Sequence, residues 1–233
     1  MKQPLLQITH LSAGYKRGVD ILHDICMTVS EGEAIGIIGL NGSGKSTLGR
    51  SIMNSLPFCS GDIDFMGEQI NKQKTHEISR KGIARMVQGG SVFGSMTVRD
   101  NISLAFERSN DNAFTRQLFA MIPLLSDTKK SHLMADRLSG GERQALSLAM
   151  TLACNPKLVI LDEPSAGLSP ADTSSIFCLL ETIRESFGTT IMLIEQNITR
   201  AVEFCDRSLL LESGRIISEQ RGKNIQEIEK QLF

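Results

Sequence analysis

The run Gly39-Leu40-Asn41-Gly42-Ser43-Gly44-Lys45-Ser46-Thr47 limits what this chain can fold into more than any other stretch. A short apolar segment, Ala34-Ile35-Gly36-Ile37-Ile38, precedes it and reads as a buried strand. Behind it, Leu48, Ile52, Met53 and Leu56 recur at helical spacing. Strand, glycine loop and helix in that order is the setting in which Gly-x4-Gly-Lys-Ser holds phosphate. Gly39, Gly42 and Gly44 let the backbone curl so that successive N–H groups point inward at an anion. The helix that follows adds its positive end. Lys45 is spaced to reach the β- and γ-phosphates of a nucleotide, and Ser46 to ligate Mg²⁺. Asn41, Ser43 and Thr47 complete the expected cradle. The alternative is a glycine-rich turn with an incidental Lys-Ser, which leaves the flanking strand and helix unexplained.

A phosphate loop needs an acid to hold magnesium. Leu158-Val159-Ile160-Leu161-Asp162-Glu163 offers an apolar strand ending in two carboxylates. Asp162 is the candidate magnesium partner, and Glu163 the candidate acceptor of a proton from attacking water. Taken alone, the two acids could equally cap a helix. A second glycine cluster, Leu138-Ser139-Gly140-Gly141-Glu142-Arg143-Gln144, stands before a segment with Ala145, Leu148, Ala149 and Leu152 on one helical face. A capping serine and two glycines at a helix start make another anion-binding end. Helix capping explains Ser139 but not the rest of the run.

Composition narrows the remaining choices. The chain has 233 residues, with 25 Lys+Arg against 26 Asp+Glu, so no bulk basic surface is available for nucleic acid. Aromatics are 5%, with one Tyr and no Trp, which argues against base-stacking sheets and carbohydrate platforms. No apolar run is long enough to span a membrane, and Met1-Lys2-Gln3-Pro4-Leu5-Leu6 lacks the features of a secretory signal. Cys26, Cys59, Cys154, Cys178 and Cys205 are far apart and mostly in apolar surroundings, so buried free thiols in a reducing compartment are expected. His10, His23, His76 and His132 are equally scattered, and no Cys/His pair is close enough in sequence to suggest zinc.

Strands are expected at Leu6–Leu11, Ile21–Val29 and Gly61–Gly67. Residues 89–137 change character, with helical patterns over Val98–Glu107 and Ala113–Leu125, and read as a helical insertion. Regular alternation returns after Leu138. It includes a strand Lys157–Leu161, a helix opened by Ser169-Pro170 and a strand Thr189–Ile194. A short helix, two short strands around Gly214 and a polar C-terminal helix finish the chain.

Over nearly its whole length the chain resembles the ATP-binding subunits of ABC transporters. The glycine loop, Gln88, Leu138–Gln144, Asp162-Glu163 and a late polar pair fall in that family's order, and Leu-Ser-Gly-Gly-Glu-Arg-Gln is highly specific to it. The resemblance implies an α/β fold: a P-loop NTPase of ABC type with an antiparallel β subdomain and an inserted α-helical subdomain. It implies one domain over 1–233, with 1–88 and 138–233 as nucleotide-binding core and 89–137 as helical subdomain. It implies ATP and Mg²⁺ as ligands and two such ATPase subunits, identical or related, facing head to tail. Ser139, Gly140 and Gly141 would then meet the partner's nucleotide. Tyr15 matches the adenine-stacking aromatic, a core or turn residue being the alternative. Gln88 matches the glutamine that contacts magnesium and attacking water.

Two positions depart from the family pattern. Gln196 stands where most members have a histidine on the γ-phosphate. An amide can donate there but carries no charge; a simple polar strand end is the alternative. Ser169 stands where the inter-subunit loop usually has Asp. Glu195-Gln196-Asn197, Gly167-Leu168-Ser169-Pro170 and Ser95–Ile102 are similar to the branch that takes up hydrophobic and branched-chain amino acids, in its smaller ATPase subunit.

That likeness implies transmembrane permease partners, a solute-binding protein in the full system, a peripheral place on the cytoplasmic face of the inner or plasma membrane, and no nucleic acid. Val92 and Phe93, after Gln88, are candidate permease contacts or else subdomain core. A soluble single-domain ABC ATPase in a non-transport assembly role, or a subunit for another cargo, are the competing readings.

Overall fold

The computed structural model describes residues 3–87, 91–108 and 112–222. In chain order, the strands and helices up to the second glycine cluster are β1 (Leu6–Gly14), β2 (Leu22–Val29), β3 (Ala34–Ile38), α1 (Lys45–Ile52), β4 (Phe58–Phe65), β5 (Glu68–Gln69), α2 (Thr75–Arg80), β6 (Ile83–Met86), α3 (Val98–Arg108), α4 (Asn112–Ala120) and α5 (Pro123–Ser126). After a 3-10 turn at Ala135–Arg137 come α6 (Gly140–Leu152), β7 (Leu158–Asp162), α7 (Pro170–Phe187), β8 (Thr190–Glu195), α8 (Ile198–Phe204), β9 (Arg207–Glu212) and β10 (Arg215–Arg221). Gln88 and the expected C-terminal helix lie outside the described residues. No helix among the described residues is long and apolar enough to cross a membrane.

The chain divides into two units, Met1–Ile83 with Thr190–Phe233, and Ala84–Thr189. In the first, β2-β1-β4-β5 form an antiparallel sheet. In β2, buried Leu22, Ile25, Met27 and Val29 are interspersed with more exposed residues, the pattern of a sheet with one wet face. The same unit holds strands in the order β10-β9-β3-β8, with β3 parallel to both β8 and β9. All five residues of β3 and all six of β8 are buried, as a parallel strand covered on both faces requires. The glycine loop leaves the carboxyl end of β3, where ligands bind in such sheets.

In the second unit β6 lies beside β7, and α3 to α7 supply the helices. All of β7 is buried, Asp162 included. Its last residue is thus a carboxylate held inside the fold. The helix expected over Ala113–Leu125 is instead two. α4 stops at Ala120, Ile122 is extended (φ −106, ψ 105), and α5 restarts with Pro123 at its first position. Pro123 disfavours helical backbone at Ile122 and has no N–H to continue the ladder.

The thiol expectation needs correction. Of the five cysteines only Cys205 is buried; Cys26 and Cys178 are exposed, and Cys59 and Cys154 are intermediate. Cys26 sits on the wet face of β2, and Cys178 lies on α7. His10 and Cys26 are distant in sequence, yet the fold brings the pair together in space. Strand pairing carries Cys26 Sγ to 3.8 Å from His10 Nδ1.

Candidate nucleotide site

In the first unit, the loop after β3 takes a conformation only glycine supports at three points. Gly42 and Gly44 are left-handed, with φ of 81° and 106°. A Cβ on Gly39 would lie 2.2 Å from the Leu211 carbonyl oxygen, so the backbone of β9 is in direct contact there. Lys45 is buried, and its ammonium donates to the carbonyls of Gly39 and Leu40 at 2.8 and 2.9 Å. It thus closes the loop from within. The Ser43 hydroxyl is buried and has no partner among the described residues. A glycine-shaped loop, a buried cation and an orphaned hydroxyl fit a polyphosphate. Asn41 is exposed, Thr47 is buried, and Ser46 is partly exposed at the start of α1.

Tyr15 is 41% exposed, which removes its reading as a core residue. Its hydroxyl lies 3.5 Å from Thr47 Oγ1, and the Arg50 guanidinium sits 5.6 Å from its ring centroid. The ring therefore stands against the phosphate-loop helix. Gln196 is exposed just past β8. Its neighbours have other work: Glu195 is buried, and Asn197 caps α8 by accepting from the Arg200 N–H at 3.1 Å.

Sequence reasoning missed Gly214 as part of this site. It donates its N–H to the Ser43 carbonyl at 2.9 Å and accepts from the His23 N–H at 2.8 Å. A Cβ there would fall 1.8 Å from the Ile21 carbonyl oxygen. The β9–β10 turn thereby holds the phosphate loop in place. The Gly after Ser213 was legible as a turn, but not as a clamp.

In the second unit, Asp162 ends β7 and receives Arg85 Nη2 at 2.6 Å from neighbouring β6. The two side chains are 3% and 10% exposed. Nothing in the local sequence of Arg85 signalled this, since the partners are 77 positions apart. Glu163, next in line, is left-handed at φ 49°, an uncommon state for a residue with a side chain. Such strain gathers where a side chain must be aimed. The Asp162 carboxylate is a hard oxygen donor of the kind that suits Mg²⁺.

The second glycine cluster resolves residue by residue. Ser139 caps α6: its Oγ accepts from the Glu142 N–H at 3.2 Å, and Glu142 Oε2 accepts from the Ser139 N–H at 3.0 Å. Arg143 donates to the carbonyls of Asp136 and Leu138, and Gln144 to that of Pro164 at 2.7 Å. Lys130 pairs with Glu142 and, with the Ser139 N–H, holds its carboxyl below the usual range. Gly141 is buried, and a Cβ there would meet Asp172 Oδ1 at 2.4 Å. Glu142, Arg143, Gln144 and Gly141 thus build the turn, while Ser139 and Gly140 stay exposed at the end of a 13-residue helix. Ser169 caps α7, accepting from the Asp172 N–H at 3.1 Å and donating to Asp172 Oδ2 at 2.8 Å. Phe93 is 49% exposed and Val92 partly so, while Asn101 pins the backbone of Phe93 through both N–H and C=O.

A family model described as ABC transporter matches residues 22–166. The chain is 35% identical to the high-affinity branched-chain amino acid transport ATP-binding protein BraG of Pseudomonas aeruginosa, over 94% of this chain and 93% of that protein. It is 34% identical to the probable branched-chain amino acid transport ATP-binding protein LivF of Archaeoglobus fulgidus, over 97% and 96%. The lipopolysaccharide export system ATP-binding protein LptB of Escherichia coli is 30% identical over 91% and 89%. Among solved structures, an ATP-binding cassette of an ABC transporter in its ADP conformation superposes with a TM-score of 0.84 at 25% identity, covering 98% of this chain and 96% of that one.

Proposed function

This chain belongs to the ABC transporter family as an ATP-binding, ATP-hydrolysing subunit, and we propose that it drives uptake of branched-chain amino acids or closely related small solutes. The observation that carries the cargo reading is the full-length likeness to two proteins named for branched-chain amino acid transport.

Each site residue takes a role suited to its chemistry. Tyr15 stacks on the adenine. The amides of the Gly39–Gly44 loop and the Ser43 hydroxyl receive the phosphates, and Lys45 neutralises their charge. Ser46, Asp162 and Gln88 are the residues that would hold magnesium, which would supply charge neutralisation at the phosphates. Glu163 accepts the proton of the attacking water, and Gln196 donates a hydrogen bond to the γ-phosphate. A second ATPase subunit, identical or related, presents its own Ser139 and Gly140 to that nucleotide, with buried Gly141 shaping the turn behind them. In helix capping Ser139 Oγ is an acceptor, which leaves its O–H to donate to that nucleotide.

Val92 and Phe93 meet a cytoplasmic helix of the permease, with a solute-binding protein completing the importer. We assign residues 1–88 and 138–233 to the nucleotide-binding core and 89–137 to the helical subdomain. The test is transport by the assembled system. Co-expressed with its neighbouring permeases and sealed into vesicles with internal ATP, the complex takes up leucine, and Lys45→Ala abolishes uptake. ATP hydrolysis by the same complex without uptake of any branched-chain amino acid would leave the ATPase and reject the cargo.

A further inference from the structure

Two irregularities in the pairing of β1 with β2 bring together three side chains that no nucleotide role uses. Ile8 pairs with Met27 and Leu11 with Ile25, so Thr9 and His10 oppose the single residue Cys26. Leu11 pairs with Ile25 and Ala13 with Leu22, so His23 and Asp24 oppose the single residue Ser12. These are two successive bulges on opposite strands, and bulges re-aim side chains. His10 and Asp24 are left-handed, at φ 52° and 56°. Ile8, Leu11, Ile25 and Met27 stay buried, while His10, Asp24 and Cys26 all face solvent. The His10 bulge is backed by Gly61, where a Cβ would lie 2.3 Å from the His10 carbonyl oxygen.

The donor atoms converge. His10 Nδ1 is 2.6 Å from Asp24 Oδ1 and 3.8 Å from Cys26 Sγ, and all three lie within 4.8 Å of one another. The His10 N–H donates to Cys26 Sγ at 3.2 Å, and the Asp24 N–H to Ser12 Oγ at 3.1 Å, which fixes both strands around the cluster. A tetrahedral zinc ion with ordinary bond lengths sets its N and O ligands about 3.3 Å apart and its N and S ligands about 3.6 Å apart. The sulfur is already at that spacing within a few tenths of an ångström. The carboxylate must withdraw by about 0.7 Å, which is what replacing a hydrogen bond by a metal ion does.

We propose that His10, Asp24 and Cys26 form a surface site for a borderline-soft divalent transition metal, Zn²⁺ above all, with water in the fourth position. One thiolate, one imidazole and one carboxylate select that class and disfavour Mg²⁺, so the site is chemically separate from the magnesium of the nucleotide. It ties β1 to β2 on the wet face of the antiparallel sheet.

Titration of the full chain with Co²⁺ in the absence of nucleotide tests this. The expected result is a thiolate-to-cobalt charge-transfer band that saturates at one equivalent and is displaced by Zn²⁺. Cys26→Ser abolishes the band, Cys178→Ser leaves it intact, and His10→Ala weakens binding about tenfold or more. A readout on the unaltered chain guards against misfolded variants: Zn²⁺ slows iodoacetamide labelling of Cys26 but not of Cys178. Absence of a band at excess Co²⁺, its survival in Cys26→Ser, or equal labelling of Cys26 with and without Zn²⁺ would overturn the proposal.

Discussion

Arg85 and Asp162 form a buried ion pair across neighbouring strands β6 and β7, with Nη2 2.6 Å from Oδ2. Arg85 Nε is buried without a partner, so the contact is one-pronged rather than a bidentate fork. Removing one member of a buried pair leaves an uncompensated charge, at a cost of about 3–5 kcal/mol. Arg85→Met should therefore lower the denaturation free energy by about 3 kcal/mol in urea titration. Adding Asp162→Asn should restore part of it, because the buried carboxylate charge is gone. If Arg85→Met alone left stability unchanged, the pair would not be holding Asp162.

The two glycines of the second cluster should separate by experiment. Gly141→Ala drives a methyl into the Asp172 carboxylate and should cost about 1–3 kcal/mol in stability. Asp172→Ala in the same chain should relieve most of it. At Gly140 the nearest contact is Leu168 Cδ2 at 3.4 Å, so Gly140→Ala should fold with near-normal stability and still lose ATPase activity. A normal rate in Gly140→Ala would mean that this exposed helix end does not meet nucleotide.

Glu142 gives a pH test with a definite sign. Lys130 and the Ser139 N–H hold its carboxyl below its ordinary range. In the unfolded chain it titrates near its usual value of about 4.3. Its contribution is therefore fully present above that value and is lost as pH falls through the depressed folded value. The stability gap between wild type and Glu142→Gln should stay constant from neutral pH down to about 5 and close below about 4. A gap that widened toward acid would reverse the assignment.

Gln196 stands exposed just past β8, where the likeness to the family places a γ-phosphate contact. A hydrogen bond made only in the transition state costs kcat and kcat/KM equally when lost. Gln196→Ala should lower kcat about tenfold, with KM for ATP unchanged. Unchanged turnover would reduce Gln196 to a polar strand end.

What the sequence disclosed, and what it hid, follows the range of each interaction. The β3–loop–α1 segment was legible because its chemistry is local: buried strand, glycine turns, lysine and serine within a few residues. Ser139 and Ser169 were legible as helix starts for the same reason. Arg85 was not, because β6 is only four residues long and its partner is distant in the chain. Gly214 looked like an ordinary hairpin glycine, and its hold on Ser43 exists only once β9 lies beside β3. The His10–Asp24–Cys26 cluster was hidden more deeply. A bulge resets the two-residue period, so a count along β1 turns His10 inward where the fold turns it out. The break at Ile122 was readable from Pro123 but was outweighed by apolar spacing that continues across it.

Steady-state phosphate release from Mg²⁺-ATP by the Glu163→Gln protein beside wild type tests the role of Glu163. Glu163 is aimed by a left-handed backbone at the end of β7 and is assigned as the base for the attacking water. Wild type should hydrolyse ATP, and Glu163→Gln should fall about 10²- to 10⁴-fold below it while still binding nucleotide. Release by Glu163→Gln at the wild-type rate would contradict that role.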